Sequence, residues 1–224
     1  MEKLVKITAI VLMSLLPLVI LTFFINIELY NEIIKEDGLI EYLTALLLLS
    51  ISLLLVNKLI KVKFSKGYKW FIFNLILVLG LFFGFGEEIS WGQRIFGVTS
   101  SEFFTENNLQ GETNFHNLMI NGVKINEWIF TYAFSILFGF YFFLLLIVYK
   151  NNAFVKNTID GFGLPIPKFK HTVIFVVITI IIMIIPDGKK WELWECLFAL
   201  VLLMIFVEPY NVREKLLLTE NTRR

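Results

Sequence analysis

The residues best suited to chemistry lie in two short stretches. The first is Gly86-Glu87-Glu88-Ile89-Ser90-Trp91-Gly92-Gln93-Arg94, at the end of an apolar run. Adjacent carboxyl groups there sit at or just inside a membrane boundary. A carboxylate is costly to bury in that position, so acids within a membrane point to function. The second stretch is Asn108-Leu109-Gln110-Gly111-Glu112-Thr113-Asn114-Phe115-His116-Asn117, dense in donors, acceptors and ligating groups. On a helix, Glu112 and His116 would be four residues apart and share a face. That spacing can offer a carboxylate and an imidazole to one metal ion. Gln110 and Asn114 would share another stripe.

These patterns give a candidate catalytic set of Glu87, Glu88, Arg94 and His116. Glu88, Glu112 and His116 are the candidate ligands of a divalent metal ion. Glu41, Trp91, Gln93, Gln110, Asn114, Asn117 and Glu195 are candidate substrate-binding or supporting residues. Plainer readings stand beside each. Glu87 or Glu88 could simply pair with Arg94, and the second stretch could be a hydrogen-bonded loop docked on helices. Glu41, Glu192 and Glu195 could be acids that complement a helix dipole from its first turn.

The elements that must hold these residues are membrane helices. Of 224 residues, 57% are hydrophobic, and the mean hydropathy is +0.75. That is too much apolar surface for a water-soluble domain to hide, so lipid must be the solvent for much of it. Six apolar runs stand out, near 7–27, 39–56, 70–86, 128–149, 170–186 and 193–207. They predict an all-α integral membrane fold: one domain, 1–224, with a bundle of about six transmembrane helices. A long outer segment, 87–126, is expected to be partly helical, and either re-entrant or interfacial. The first run reads as a retained anchor, since it exceeds a signal-peptide core and no small-residue cleavage site follows. Pro17 is expected to kink it. Gly80 and Gly84, four apart, predict a close helix approach.

Charge sets the orientation. Fifteen of the 20 Lys and Arg residues fall at the N-terminus, between runs two and three, between four and five, and after six. The positive-inside rule places those segments, and both chain ends, in the cytoplasm. Fourteen of the 19 acids lie on the other side, together with both motifs. The net charge of +1 gives no basis for a nucleic-acid partner. The single cysteine, Cys196, excludes an intrachain disulfide and a cysteine-based zinc site. His171 falls on the cytoplasmic side, away from the motifs. A faint internal repeat relates Ile40-Glu41-Tyr42-Leu43-Thr44-Ala45-Leu46 to Trp194-Glu195-Cys196-Leu197-Phe198-Ala199-Leu200.

Three motifs together resemble a group of uncharacterised bacterial multi-pass membrane proteins: Glu36-Asp37-Gly38-x-x-Glu41, the Gly86–Arg94 string and the alternating polar string from Asn108 to Asn117. The resemblance covers about a third of the chain. It implies a shared site in the bacterial inner membrane and names no reaction. CAAX-type intramembrane proteases also carry paired glutamates, but with an arginine four residues after the second. Here Arg94 lies six after Glu88, and the spacing of the later histidines does not match that family.

Three functions fit this pattern. The first is a metal-dependent hydrolase or transferase acting on a lipid or lipid-linked substrate at the extracytoplasmic boundary. The second is a sensor or assembly subunit that docks a protein partner through the outer loop. The third is a cation or proton transporter. The polar groups that could line a transport path are few, Asn74 being the main one.

Overall fold

The computed structural model describes residues 2–35, 38–125, 128, 132–186 and 188–211. Glu36 and Asp37 of the first motif, and the expected cytoplasmic C-terminus from 212, lie outside these. The described chain is all-α apart from one small hairpin. Helices form over each apolar run: α1 (Glu2–Ile25), the short α2 (Ile27–Ile33), α3 (Leu39–Val62) and α4 (Tyr68–Glu88). After the outer segment come α7 (Phe134–Gly139) and α8 (Leu145–Asn151), joined without a break by a π-helical turn at Phe140–Leu144. Then follow α9 (Ala153–Phe162), α10 (Phe169–Met183) and α11 (Lys190–Val207). α1 continues through Pro17.

Among the described residues, three helices are long and apolar enough to cross a membrane: α3, α4 and the continuous Phe134–Asn151. The 15 residues of α10 span only about 22 Å at 1.5 Å per residue, against a hydrocarbon core of about 30 Å. α11 has 18 residues but opens with Lys190, Glu192 and Glu195. α3 runs well past the apolar stretch read from sequence. No Gly or Pro interrupts it before Gly67, and lysine stems can extend along a helix end toward water.

α11 is the hub, packed against α1, α3 and α10, while α3 pairs most extensively with α4. Leu193, Cys196, Leu197, Leu200, Val201 and Ile205 of α11 are all buried. Between helices in lipid, close packing replaces hydrophobic drive, and rings supply much of it here. Phe142 stacks on Phe175 with centroids 4.2 Å apart, and Trp194 on Phe198 at 5.2 Å. Such pairs contribute about 0.5–1.5 kcal/mol each. Of the two aligned glycines on α4, Gly84 faces Leu48 of α3, whereas Gly80 faces open space. Only half of the expected small-residue seam is used.

Polar side chains inside the helices are mostly spent on backbone. Ser50 donates to Leu46, Thr179 to Phe175, and Ser52 to the carbonyl of Val78, which ties α3 to α4. Asn74 donates to the carbonyls of Trp70 and Phe162.

The end of the molecule opposite the motifs is closed by ion pairs. Lys168 and Lys170 reach Glu208, just beyond α11, at 2.5 and 2.8 Å. His171 is buried at this end, its Nδ1 accepting from the Lys168 amide. Hydrogen bonds from the two lysines pull the Glu208 carboxyl down to about 2 from its usual 4.5. A depressed folded value stabilises fully above the unfolded value and is lost as pH falls through the folded one. Glu208→Gln should therefore melt below wild type at neutral pH, with the gap closing as pH drops from about 4.5 toward 2. A gap that stays constant down to the acid limit would show that the tie does not depend on the charge of Glu208.

Candidate functional site

α4 ends at Glu88, and the chain turns sharply through Ser90–Gly92. Ser90 and Trp91 both hold positive φ, 45° and 54°, followed by Gly92 at 75°. Two consecutive non-glycine residues in the left-handed region are strained, and such strain persists only where surrounding contacts enforce it. Those contacts are present. The Trp91 indole N–H donates to Glu87 Oε1 at 2.8 Å, and the ring folds back over Gly86. A Cβ at Gly86 would lie 2.8 Å from that ring, so only glycine fits. The other Glu87 oxygen accepts the Phe115 amide at 2.6 Å. Glu87 is thus buried and fully used in holding the outer segment down.

That segment continues through α5 (Gln93–Phe96) and α6 (Glu102–Asn107) to the second motif, then to a hairpin of β1 (Met119–Ile120) and β2 (Val123–Lys124). The second motif is not a helix. Residues 109–117 form turns, which separates Glu112 and His116 from any shared helical face. The cause is Asn108. Its Oδ1 accepts the amides of Gln110 and Glu112, and its Nδ2 donates to the Asn114 carbonyl and side chain, each at 2.9 Å. An asparagine that captures nearby backbone in this way competes with helix formation. Gly111, at φ 67°, permits the tight return.

Glu112 is the centre of the resulting latch. One of its oxygens pairs with Arg94, and the other accepts from Ser90 at 2.6 Å and from Asn114 at 3.4 Å. Arg94 is therefore paired with Glu112, where the sequence suggested Glu87 or Glu88. Asn114 also donates to Ser90. Gln93 accepts from Ser100 and from the Thr113 amide. Gln110 and Asn117 join through their backbones, Asn117 accepting from the Leu109 amide. His116 is half-buried in the turn.

On the other side of Glu87 lies a second group. Glu88, half-buried at the C-terminus of α4, is within electrostatic range of Glu195 foremost, then Glu192, Glu41 and Glu87. Glu195 in turn senses Glu192 and Glu41. Cys196, hydrogen-bonded with Thr44, also lies within electrostatic range of Glu88. Four carboxylates, from the first turn of α3, the start of α11 and the last turn of α4, thus lie within electrostatic range of one another. Glu41 and Glu192 complement helix N-termini, whereas Glu88 sits at a C-terminus, where the dipole opposes an anion. Helix capping therefore accounts for Glu41 and Glu192 and not for Glu88. Glu192 was read from the sequence as a dipole acid alone. The signal for more was its spacing from Glu195, three residues and hence one helix face.

Among the described residues, no three His, Cys, Asp or Glu side chains group closely enough to hold a metal ion. Glu88, Glu112 and His116 accordingly form no such ligand set, and Glu112 is committed to Arg94, Ser90 and Asn114. No family model, curated protein or solved structure matches this chain. The arrangement separates a hydrogen-bonded latch around Glu112 from a group of glutamates at the helix ends.

Proposed function

We propose that this chain is a multi-pass enzyme of the bacterial cytoplasmic membrane, a hydrolase or transferase acting on a lipid or lipid-linked substrate at the extracytoplasmic boundary. The observation that carries this reading is the convergence of Glu41, Glu88, Glu192 and Glu195 at the ends of three packed helices. Mutual repulsion in such a group is relieved by a shared proton. One carboxylate then accepts the proton of an attacking hydroxyl as its oxygen bonds to the substrate. A second gives a proton to the departing oxygen. Glu88 and Glu195 are assigned these roles, with Glu41 and Glu192 flanking.

Access from the bilayer fits the outer segment. Ile95, Phe96, Val98, Phe103 and Leu109 are all exposed there, as in segments that lie in the interface. The same surface could dock a protein partner, and this is the competing reading. A conduit is less well supported, because Ser50, Ser52, Asn74 and Thr179 donate to helix backbone and do not line a path.

The orientation is part of the proposal: six spans, with both chain ends in the cytoplasm. Cysteines introduced at Lys63 and at Glu106 should react with an impermeant thiol reagent from opposite sides of the membrane, and native Cys196 is buried. Reaction from the same side would overturn the topology. The activity is tested by reconstituting the purified protein in vesicles of total membrane lipid and following lipid species by mass spectrometry. Turnover is expected with wild type and lost in Glu88→Gln. Turnover unchanged in Glu88→Gln would remove the carboxylate cluster from the reaction.

A further inference from the structure

The outer segment is packed inside out for a surface that meets water. Its polar side chains are interior. Ser90, Asn108, Glu112 and Asn114 are each at most 7% exposed, and they bond to one another and to nearby backbone. Its large apolar side chains face outward, with Phe96 78%, Val98 60%, Leu109 55% and Phe103 50% exposed. Non-helical backbone at membrane depth needs this arrangement, because a polar group turned toward lipid finds no partner.

The way the segment leaves α4 shows which solvent it meets. Ile72, Leu75, Ile76, Leu79, Phe82 and Phe83 are exposed along one face of α4, at the spacing of a helical stripe. α4 is among the helices able to cross a membrane, and on the membrane reading this stripe meets acyl chains. Gly86 follows Phe82 by four residues and Phe83 by three, so it lies on the same stripe. The Trp91 ring rests on Gly86 and meets Phe82 and Phe83 edge-on, with centroids 6.5 and 5.5 Å apart. Phe115 lies 6.0 Å from Phe83, and Phe104 lies 6.0 Å from Phe115. The segment is therefore laid back onto the lipid-facing stripe of α4, and these rings continue that apolar surface outward.

We propose that the outer segment is seated in the extracytoplasmic leaflet, with Phe96, Val98, Phe103 and Leu109 among lipid acyl chains and the hydrogen-bonded latch as its dry interior. The partner of this surface is the bilayer itself, engaged by apolar burial. Interfacial elements of this kind bury an apolar face about 5–10 Å into the boundary between headgroups and acyl chains. Glu102 and Glu106, exposed on α6, mark the face turned to headgroups and water, since a carboxylate among acyl chains is costly. The seat also sets how deep the end of α4, and with it Glu88, rides in the membrane. This inference rests on the membrane reading and orientation given above and is independent of catalysis by the carboxylate cluster.

The test is spin-label accessibility in the full chain, reconstituted in vesicles of phosphatidylcholine and phosphatidylglycerol. A nitroxide is attached in turn to Phe96→Cys, Phe103→Cys and Leu109→Cys. Each position is at least half exposed, so the substitutions leave the packing in place, and agreement among the three guards against a local distortion. Native Cys196 is buried, and label taken up by wild type is subtracted. Ile76→Cys, on the stripe of α4, is the lipid reference, and Glu106→Cys is the water reference. Oxygen concentrates among acyl chains, whereas a nickel chelate stays in water. The three labels should collide several-fold more with oxygen than with nickel, as at Ile76→Cys, and Glu106→Cys should show the reverse. Nickel access at all three equal to that at Glu106→Cys, with Ile76→Cys still in lipid, would overturn the proposal and leave the membrane reading intact. Protection from both reagents would mean that a second copy of the chain covers the surface, which overturns it as well. Nickel access at Ile76→Cys would instead remove the membrane reading, and the proposal with it.

Discussion

Glu112→Ala is expected to be the most destabilising single change in the outer segment, at about 2–3 kcal/mol. Breaking a fully buried pair costs about 3–5 kcal/mol. The estimate is reduced because the Arg94 side chain is 39% exposed and can turn to water, whereas that of Glu112 is only 9% exposed. The substitution also strips partners from Ser90 and Asn114, and Ser90 holds a strained backbone that those contacts keep in place. Arg94→Met should cost a similar amount for the opposite reason, since it leaves a buried carboxylate with only Ser90 and Asn114. The double variant should fall well short of the sum, because residues in one network couple. Thermal unfolding gives the magnitudes, and limited proteolysis within 97–118 reports the loosened segment. Changes below about 0.5 kcal/mol in both single variants, the range of an ordinary surface substitution, would mean that the pair does not hold the latch.

Glu88→Gln and Glu195→Gln are each expected to lower lipid turnover by about 10²–10⁴, the usual contribution of general acid–base catalysis. The double variant should lose little more than either alone, because groups that act as one unit are not additive. Gln keeps the size and hydrogen bonding of Glu while removing the charge and the exchangeable proton. Protein level and melting temperature should therefore stay near wild type. Glu102→Gln, on an exposed turn of α6, serves as the control and should leave turnover unchanged. Full activity in both cluster variants, with loss in Glu102→Gln, would move the function to the outer surface and favour a docked partner.

His116 illustrates how much of the site was legible in advance. Its type marked it for chemistry, and its distance of four residues from Glu112 implied a shared helical face. The helix does not form, because Asn108 binds the local amides and Gly111 turns the chain. Glu87 and Glu88 are adjacent, and the sequence reads both as candidate catalytic acids, with Glu88 also a candidate metal ligand. Successive helical residues point about 100° apart, however, so one faces the latch and the other the carboxylates. Nothing in one-dimensional spacing says which.

The sequence by itself predicted helices over the apolar runs, because a backbone in lipid has to satisfy its hydrogen bonds internally. It also marked the stretch after Gly86 as dense in polar side chains. Only the tertiary structure decided the division of labour. Glu41, Glu88 and Glu195 come from positions far apart in the chain, and the packing of α3 against α4 and α11 brings them within electrostatic range. Arg94 chose Glu112, which approaches through a folded loop, over the glutamates six and seven residues before it. Contacts of that kind depend on how helices pack and loops return, and local residue patterns do not encode either.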